Sequence, residues 1–216
     1  MTDPFALLIP EAKTFLAELA ANNTRDWFTA HKPQYEAQLK NPALLLQEQL
    51  LADLAKTTDV SVTSKLFRPH RDVRFSKDKT PYHTHLHMFW MLHGPVKTAF
   101  FLGISPNYCR IGGGIMGFEK DQLTHWRAAV DGKAGGTISA LLDNLTQDQF
   151  NAEDPELKRV PAPFAKDHPQ ASLLRRKSLS VWRDLPQTEW SQPLAALNTG
   201  FSKVSPICKA LSQMLT

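Results

Sequence analysis

The runs THLHMFWML (residues 84–92), TAFFLGIS (98–105) and NYCRIGGG (107–114) decide the fold. In the first, Met88, Trp90 and Leu92 fall on one face, and His85 and His87, with His83 just before them, fall on the other. That alternation has the period of a strand. The next two runs are bounded by Pro, Gly or Asn, and Ser105-Pro106-Asn107 between them predicts a hairpin. VSVTSKLFR (60–68) reads as a strand ahead of all three. Gly112 to Gly114 mark either a strand end or a place where another backbone comes close.

Helical patterns flank these strands. PEAKTFLAELAANN (10–23) places Phe15, Leu16, Leu19 and Ala20 at helical spacing, with Asn22 and Asn23 suited to stop one helix and start the next. Thr24 heads TRDWFTAHKPQYEAQL (24–39), which Pro33 should kink. NPALLLQEQLLADLAKTT (41–58) predicts a third helix capped by Asn41, with Pro42 as its first residue. Further helices are predicted over FEKDQLTHWRAAVDG (118–132) and TISALLDNL (137–145), a short helix and a strand at SLSVWRD (178–184) follow, and the C-terminal part is expected to be helical in two pieces. Helices, then strands, then helices predict an α+β fold, an antiparallel sheet with N-terminal and C-terminal helices packed on it. A single domain over 1–216 is expected, helical to about residue 57, sheet-forming over about 58–115 and mixed helical over about 119–216.

A hydrophobic fraction of 42% with 21% charged residues is ordinary for a chain that buries a core, which excludes disorder. No run approaches the ~20 apolar residues of a membrane helix, and the start of the chain does not read as a signal peptide. Cys109 and Cys208 fit no C-x-x-C pattern, so two reduced thiols and a cytoplasmic location are expected. The formal net charge of +4 is unevenly spread. Residues 65–79 carry a surplus of +4 and residues 156–183 a surplus of +5, leaving the rest of the chain acidic. Two basic segments on an acidic body attract anions if they meet in space.

Three stretches together resemble a known family. FLAELAANNTRDWFTAHKPQYE (15–36) matches its signature of paired Asn followed by Trp-Phe, and FRPHRDVRFSKDKTPYHTHL (67–86) matches its Arg-Asp-x-Arg-Phe-Ser-x-Asp-Lys-x-Pro-Tyr motif. LKRVPAPFAKDHPQASLLRRKSL (157–179) matches a late Lys-Arg, Pro and Asp-His-Pro motif. The chain is thereby identified as resembling the bacterial and fungal family catalogued as domain of unknown function 2461. The resemblance implies one compact domain and singles out Arg71, Asp72, Arg74, Phe75, Ser76, Asp78, Lys79, Pro81 and Tyr82, but it implies no activity. Many relatives carry Lys where this chain has His83.

The central motif has two readings. As an anion site, Arg71, Arg74 and Lys79 contact a phosphate or carboxylate directly, with Arg68 and Lys77 at its edge. Ser76 and Tyr82 add hydroxyl donors, Asp72 and Asp78 orient the guanidinium groups, and Arg175 or Lys177 arrives from the second basic segment. As a brace, the same residues pair internally, Asp72 with Arg74 and Asp78 with Lys79, and hold an irregular crossing between strands. Exposed pairs contribute only about 0–1 kcal/mol each, which favours the anion site. The expected partner is therefore an anionic small molecule. A metal-assisted phosphoester hydrolase and a non-specific nucleic-acid binder are the alternatives.

His83, His85 and His87 share one face and could ligate a divalent metal with help from His93, His70 or Asp72, but that face also reads as simply solvent-facing. No cofactor is predicted. RIGGGI (110–115) lacks the spacing of a phosphate loop, and Asp167-His168 reads as a turn capping the next helix. Trp27 and Phe28 are assigned to the core.

Overall fold

The computed structural model describes residues 3–216. The helices are α1 (Leu8–Ala21), α2 (Arg25–Gln34), α3 (Asn41–Thr57), α4 (Lys120–Asp131), α5 (Lys133–Gln147), α6 (Ala171–Leu174) and α7 (Pro193–Met214). The strands are β1 (Val62–Leu66), β2 (Leu86–Leu92), β3 (Thr98–Ile104), β4 (Cys109–Ile115), β5 (Asn151–Ala152) and β6 (Leu179–Asp184). They form one antiparallel sheet in the order β1-β2-β3-β4-β6-β5, and the fold is α+β as the sequence predicts. Strand β5 is too short to carry a periodic signal. It pairs with β6 through Asn151 opposite Trp182 and Ala152 opposite Val181.

The chain divides into two compact units that alternate along the sequence. One holds the described residues up to Trp90 with Phe101–Ile111 and Asp184–Asn198. The other holds Met91–Phe100, Gly112–Arg183 and Thr199–Thr216, so β2, β3, β4, β6 and α7 give residues to both.

In the first unit, Leu86, Met88 and Trp90 of β2 are buried while the residues between them are half-buried. The Trp90 indole N–H donates to the Gln47 carbonyl of α3 at 3.1 Å, which gives a fully buried ring its polar partner. The predicted hairpin joins β3 to β4. The Ser105 N–H donates to the Tyr108 carbonyl at 2.8 Å, and the Ser105 hydroxyl accepts from the N–H groups of Asn107 and Tyr108, both at 3.1 Å. Lys13 of α1 ties the turn down by donating to the carbonyls of Ser105 at 2.9 Å and Pro106 at 2.8 Å.

Between α2 and α3 the helix does not stop. Pro33 has no N–H to donate, and the residues after it, Tyr35–Lys40, are wound as π-helix that runs straight into α3. Asn41 is therefore helical (φ −68°, ψ −46°) and caps nothing, contrary to expectation. Pro42 still falls in the first turn of α3, where its missing N–H costs least.

Helix α7 is one helix through Pro206 rather than the two pieces expected. An interior proline costs about 3 kcal/mol. Phe201, Val204, Ile207, Cys208 and Leu211 of α7 are all buried, at about 1.5–3 kcal/mol each, which outweighs that cost. Phe201 stacks on Phe100 with centroids 4.7 Å apart, and the Ser212 hydroxyl donates to the Val96 carbonyl at 2.6 Å. Gly112 and Gly114 continue β4 rather than end it. A side chain at either would stand 2.2 Å from a carbonyl oxygen of β6, that of Val181 or Leu179. Helix α4 begins with a capping box between Glu119 and Gln122.

Among the described residues no helix is long and apolar enough to cross a membrane. Cys109 and Cys208 are free and buried, and burial pushes both thiols up to about 12. They remain protonated at neutral pH.

Candidate functional site

The cationic motif is a closed loop leading from β1 to β2. Its neck is sealed by main-chain hydrogen bonds, from Arg71 N–H to the Pro81 carbonyl at 2.9 Å and from His83 N–H to the Pro69 carbonyl at 2.7 Å. Asn23 clamps the same point: its amide donates to the Tyr82 carbonyl at 2.9 Å and accepts from the Tyr82 N–H at 3.1 Å. The Tyr82 ring is buried, stacked on Phe28 at 4.1 Å and packed edge-on to His70 at 5.0 Å. Phe28 is core as expected, while Trp27 is half-buried, 5.5 Å from the Phe15 ring and stacked on His31 at 4.0 Å.

Within the loop most of the cations are answered from inside. Arg71 donates to Asp78 at 2.6 Å, to the Thr80 carbonyl at 3.1 Å and to the Thr80 hydroxyl. Asp78 is Arg71's partner rather than Lys79's. The Thr80 N–H first, then the Arg71 guanidinium, lowers the Asp78 carboxyl to about 2. Arg74 grips Asp72 with both arms, Nε to Oδ1 at 2.9 Å and Nη2 to Oδ2 at 2.7 Å. Hydrogen bonds from Arg74 hold Asp72 below the usual carboxylate range. Lys79 donates to the Val73 carbonyl at 2.9 Å. Ser76 is half-buried in a turn closed by its own N–H on Val73 at 3.3 Å. Two cations differ from these. Arg68 and Lys77 are exposed and have no hydrogen bond or ion pair among the described residues. At the tip, Phe75 is 96% exposed, with the Arg74 guanidinium 5.9 Å from its ring centroid.

Beyond the neck the chain enters β2, and the three histidines do lie on one face. Their rings lie in a row, His83 tilted against His85 at 4.7 Å and His85 stacked on His87 at 3.7 Å. The His87 Nε2 is 2.8 Å from the Tyr108 hydroxyl, and the Arg110 guanidinium lies 4.6 Å from the Tyr108 ring centroid. Gly103 of β3 leaves room for this layer, since a side chain there would stand 3.2 Å from both His87 and Tyr108. On the other side of His87, Phe67 packs edge-on to Phe89 at 5.6 Å, with the Lys65 ammonium 5.2 Å from the Phe67 ring centroid. Desolvation lowers all three imidazoles, and the charges that add to it are all positive. Arg71 and Arg68 act on His83, His83 acts on His85, and His85 and Arg110 act on His87, which falls to about 4. The result is a neutral, half-buried imidazole row with cations at both ends.

Stacked rings turn their faces to one another, which leaves their nitrogens side by side rather than convergent. Among the described residues no group of three His, Cys, Asp or Glu side chains is placed to hold a metal ion. Tyr108 and Arg110 were not among the residues picked out by sequence. Their alternation along β4 was visible, but the hairpin register that brings them to His87 was not.

The second basic segment lies in the other unit. Arg175 is half-buried and Lys177 exposed, and Glu156 accepts from the Lys177 N–H at 2.8 Å and the Ser178 hydroxyl at 2.5 Å. Between them Arg176 is buried and donates to the Glu153 carbonyl at 2.7 Å. His168 sits in a turn ahead of α6, its carbonyl accepting from the Ala171 N–H at 2.9 Å and its ring from the Gln170 N–H at 3.0 Å, with the other ring nitrogen 3.1 Å from Asp131; no side chain caps α6.

Comparison with curated proteins and with solved structures gives no match. A family model described as "Conserved hypothetical protein (DUF2461)" matches residues 11–209, including Asn23, the whole charged loop and the histidine row, and the chain belongs to that family.

Proposed function

We propose that this protein binds a phosphate- or carboxylate-bearing ligand where the charged loop meets the histidine row. One observation carries the reading: arginines flank the imidazole row, Arg71 and Arg68 acting on His83 and Arg110 on His87, and Arg68 is exposed with no hydrogen bond among the described residues, Asp72 being within electrostatic reach of it. An anion bound there relieves that repulsion and meets an exposed guanidinium fork. The roles differ from those the residue types suggest. Arg68 is the direct contact and Lys77 a peripheral one. Arg71, Arg74 and Lys79, each bonded within the loop, shape it, with Asp72 and Asp78 as their counter-charges.

Thermal-shift titration with inorganic pyrophosphate and phosphorylated metabolites tests this. Stabilisation by at least one of them is expected, and about tenfold weaker in Arg68→Ala. No response from the wild type, or an equal response from Arg68→Ala, overturns the reading.

A further inference from the structure

The half-buried sheet face around this anion site is itself unusual in composition. From the end of β1 across to the start of β4 it presents Phe67, Phe89, the His83, His85 and His87 rings and Tyr108, with Lys65 and Arg110 among them and Arg68, just past β1, within electrostatic reach of His83. Phe67 remains 43% exposed although Phe89 lies against it. Apolar aromatic surface left in water costs about 25 cal/mol per Å². Planar side chains set among cations on an open sheet meet the two needs of an unpaired polynucleotide, a flat surface for each base and a positive charge for each phosphate.

We infer that the ligand of this face is a single-stranded nucleic acid, its bases stacked on Phe67 and the edge of the imidazole row and its phosphates on Lys65 and Arg68. This rests on the anion-binding reading above and names the class of that anion. Charge complementarity supports it, because Arg68 and Arg71 lie at one end of the row and Arg110 at the other, with the Lys65 ammonium against Phe67. The neutral state of the imidazoles supports it too: an uncharged ring stacks on a base without the cost of burying a cation. Duplex DNA fits less well, since its bases are already stacked and withdrawn behind the backbone.

The test is fluorescence anisotropy of the full chain with a labelled single strand of about twelve nucleotides and with a duplex of the same length. The single strand is expected to bind more tightly than the duplex. Its log–log salt slope should be about −1.5 to −2, for two or three phosphate contacts. Phe67→Ala should weaken binding about tenfold, the loss of one stacked base, while leaving the pyrophosphate response intact. Circular dichroism and melting of Phe67→Ala check that it folds, and Phe67→Tyr, which keeps the ring, should restore binding. Equal binding of single strand and duplex, or an unchanged Phe67→Ala, overturns the inference. So does pyrophosphate binding without strand binding, which leaves the anion site standing. If neither ligand binds, both fall.

Discussion

Asn23 and Tyr82, 59 positions apart, are joined as two strands would be: one side-chain amide makes both the donor and the acceptor bond to one residue's main chain. A single side chain thereby fixes the neck of the charged loop to the start of α2. Asn23→Ala leaves a part-buried N–H and C=O without partners, and should cost about 2 kcal/mol in denaturant unfolding. Asn23→Asp keeps only the acceptor and should lose part of that. If both variants unfold like the wild type, the clamp contributes nothing.

The Asp78 carboxylate, held by the Thr80 N–H and then by Arg71, makes the loop acid-sensitive. The Asp78 carboxyl titrates near 2 when folded and near 4 when unfolded. Its contribution is therefore present above pH ~4 and is lost as the pH falls towards 2. Asp78→Asn should be less stable than the wild type at pH 7 and closer to it at pH 2, as read by urea midpoints at each pH.

His87 works in the same direction over a higher range. Burial, then His85 and Arg110, holds its imidazole at about 4, whereas the unfolded side chain protonates near 6.5. Between those values the unfolded chain takes up more protons, so stability falls as the pH drops from about 6.5 to 4. His87→Gln, which can still reach the Tyr108 hydroxyl, should flatten that part of the profile. NMR titration should find the His87 ring still neutral at pH 6.

Glycine substitutions separate close approach from idle flexibility. Gly112→Ala drives a methyl group into the Val181 carbonyl and should destabilise by about 3 kcal/mol. Gly136, inside α5, has nothing within 4 Å of where a side chain would stand. Gly136→Ala should raise stability by about 0.5–1 kcal/mol. Melting temperatures of the two variants should move in opposite directions.

Much of the sheet was legible because one face of it is dry. Met88, Trp90 and Leu92 are buried, and their two-residue period could be counted directly. What local pattern could not show was decided by distant packing. Pro206 looks like a break until the buried side chains around it are known, and the two residues of β5 have no period to count. In the site, residue types were informative and partners were not. The Asp72–Arg74 pair was visible at a separation of two, but Asp78 turned to Arg71, seven positions back, because the sealed neck folds that arginine inward over Thr80. The histidine face followed from strand geometry. Its extension to Tyr108 depended on hairpin register, which no single run encodes.

Because the chain passes from one compact unit to the other at Trp90, Phe100, Ile111, Arg183 and Asn198, neither is a continuous stretch of gene. A premature stop anywhere from residue 91 to 183 deletes part of both. Expression of either piece by itself would require splicing three segments with new connectors. Truncation mapping, the usual route to assigning an activity to part of a protein, is therefore uninformative for this one, and only point substitutions can locate what it does.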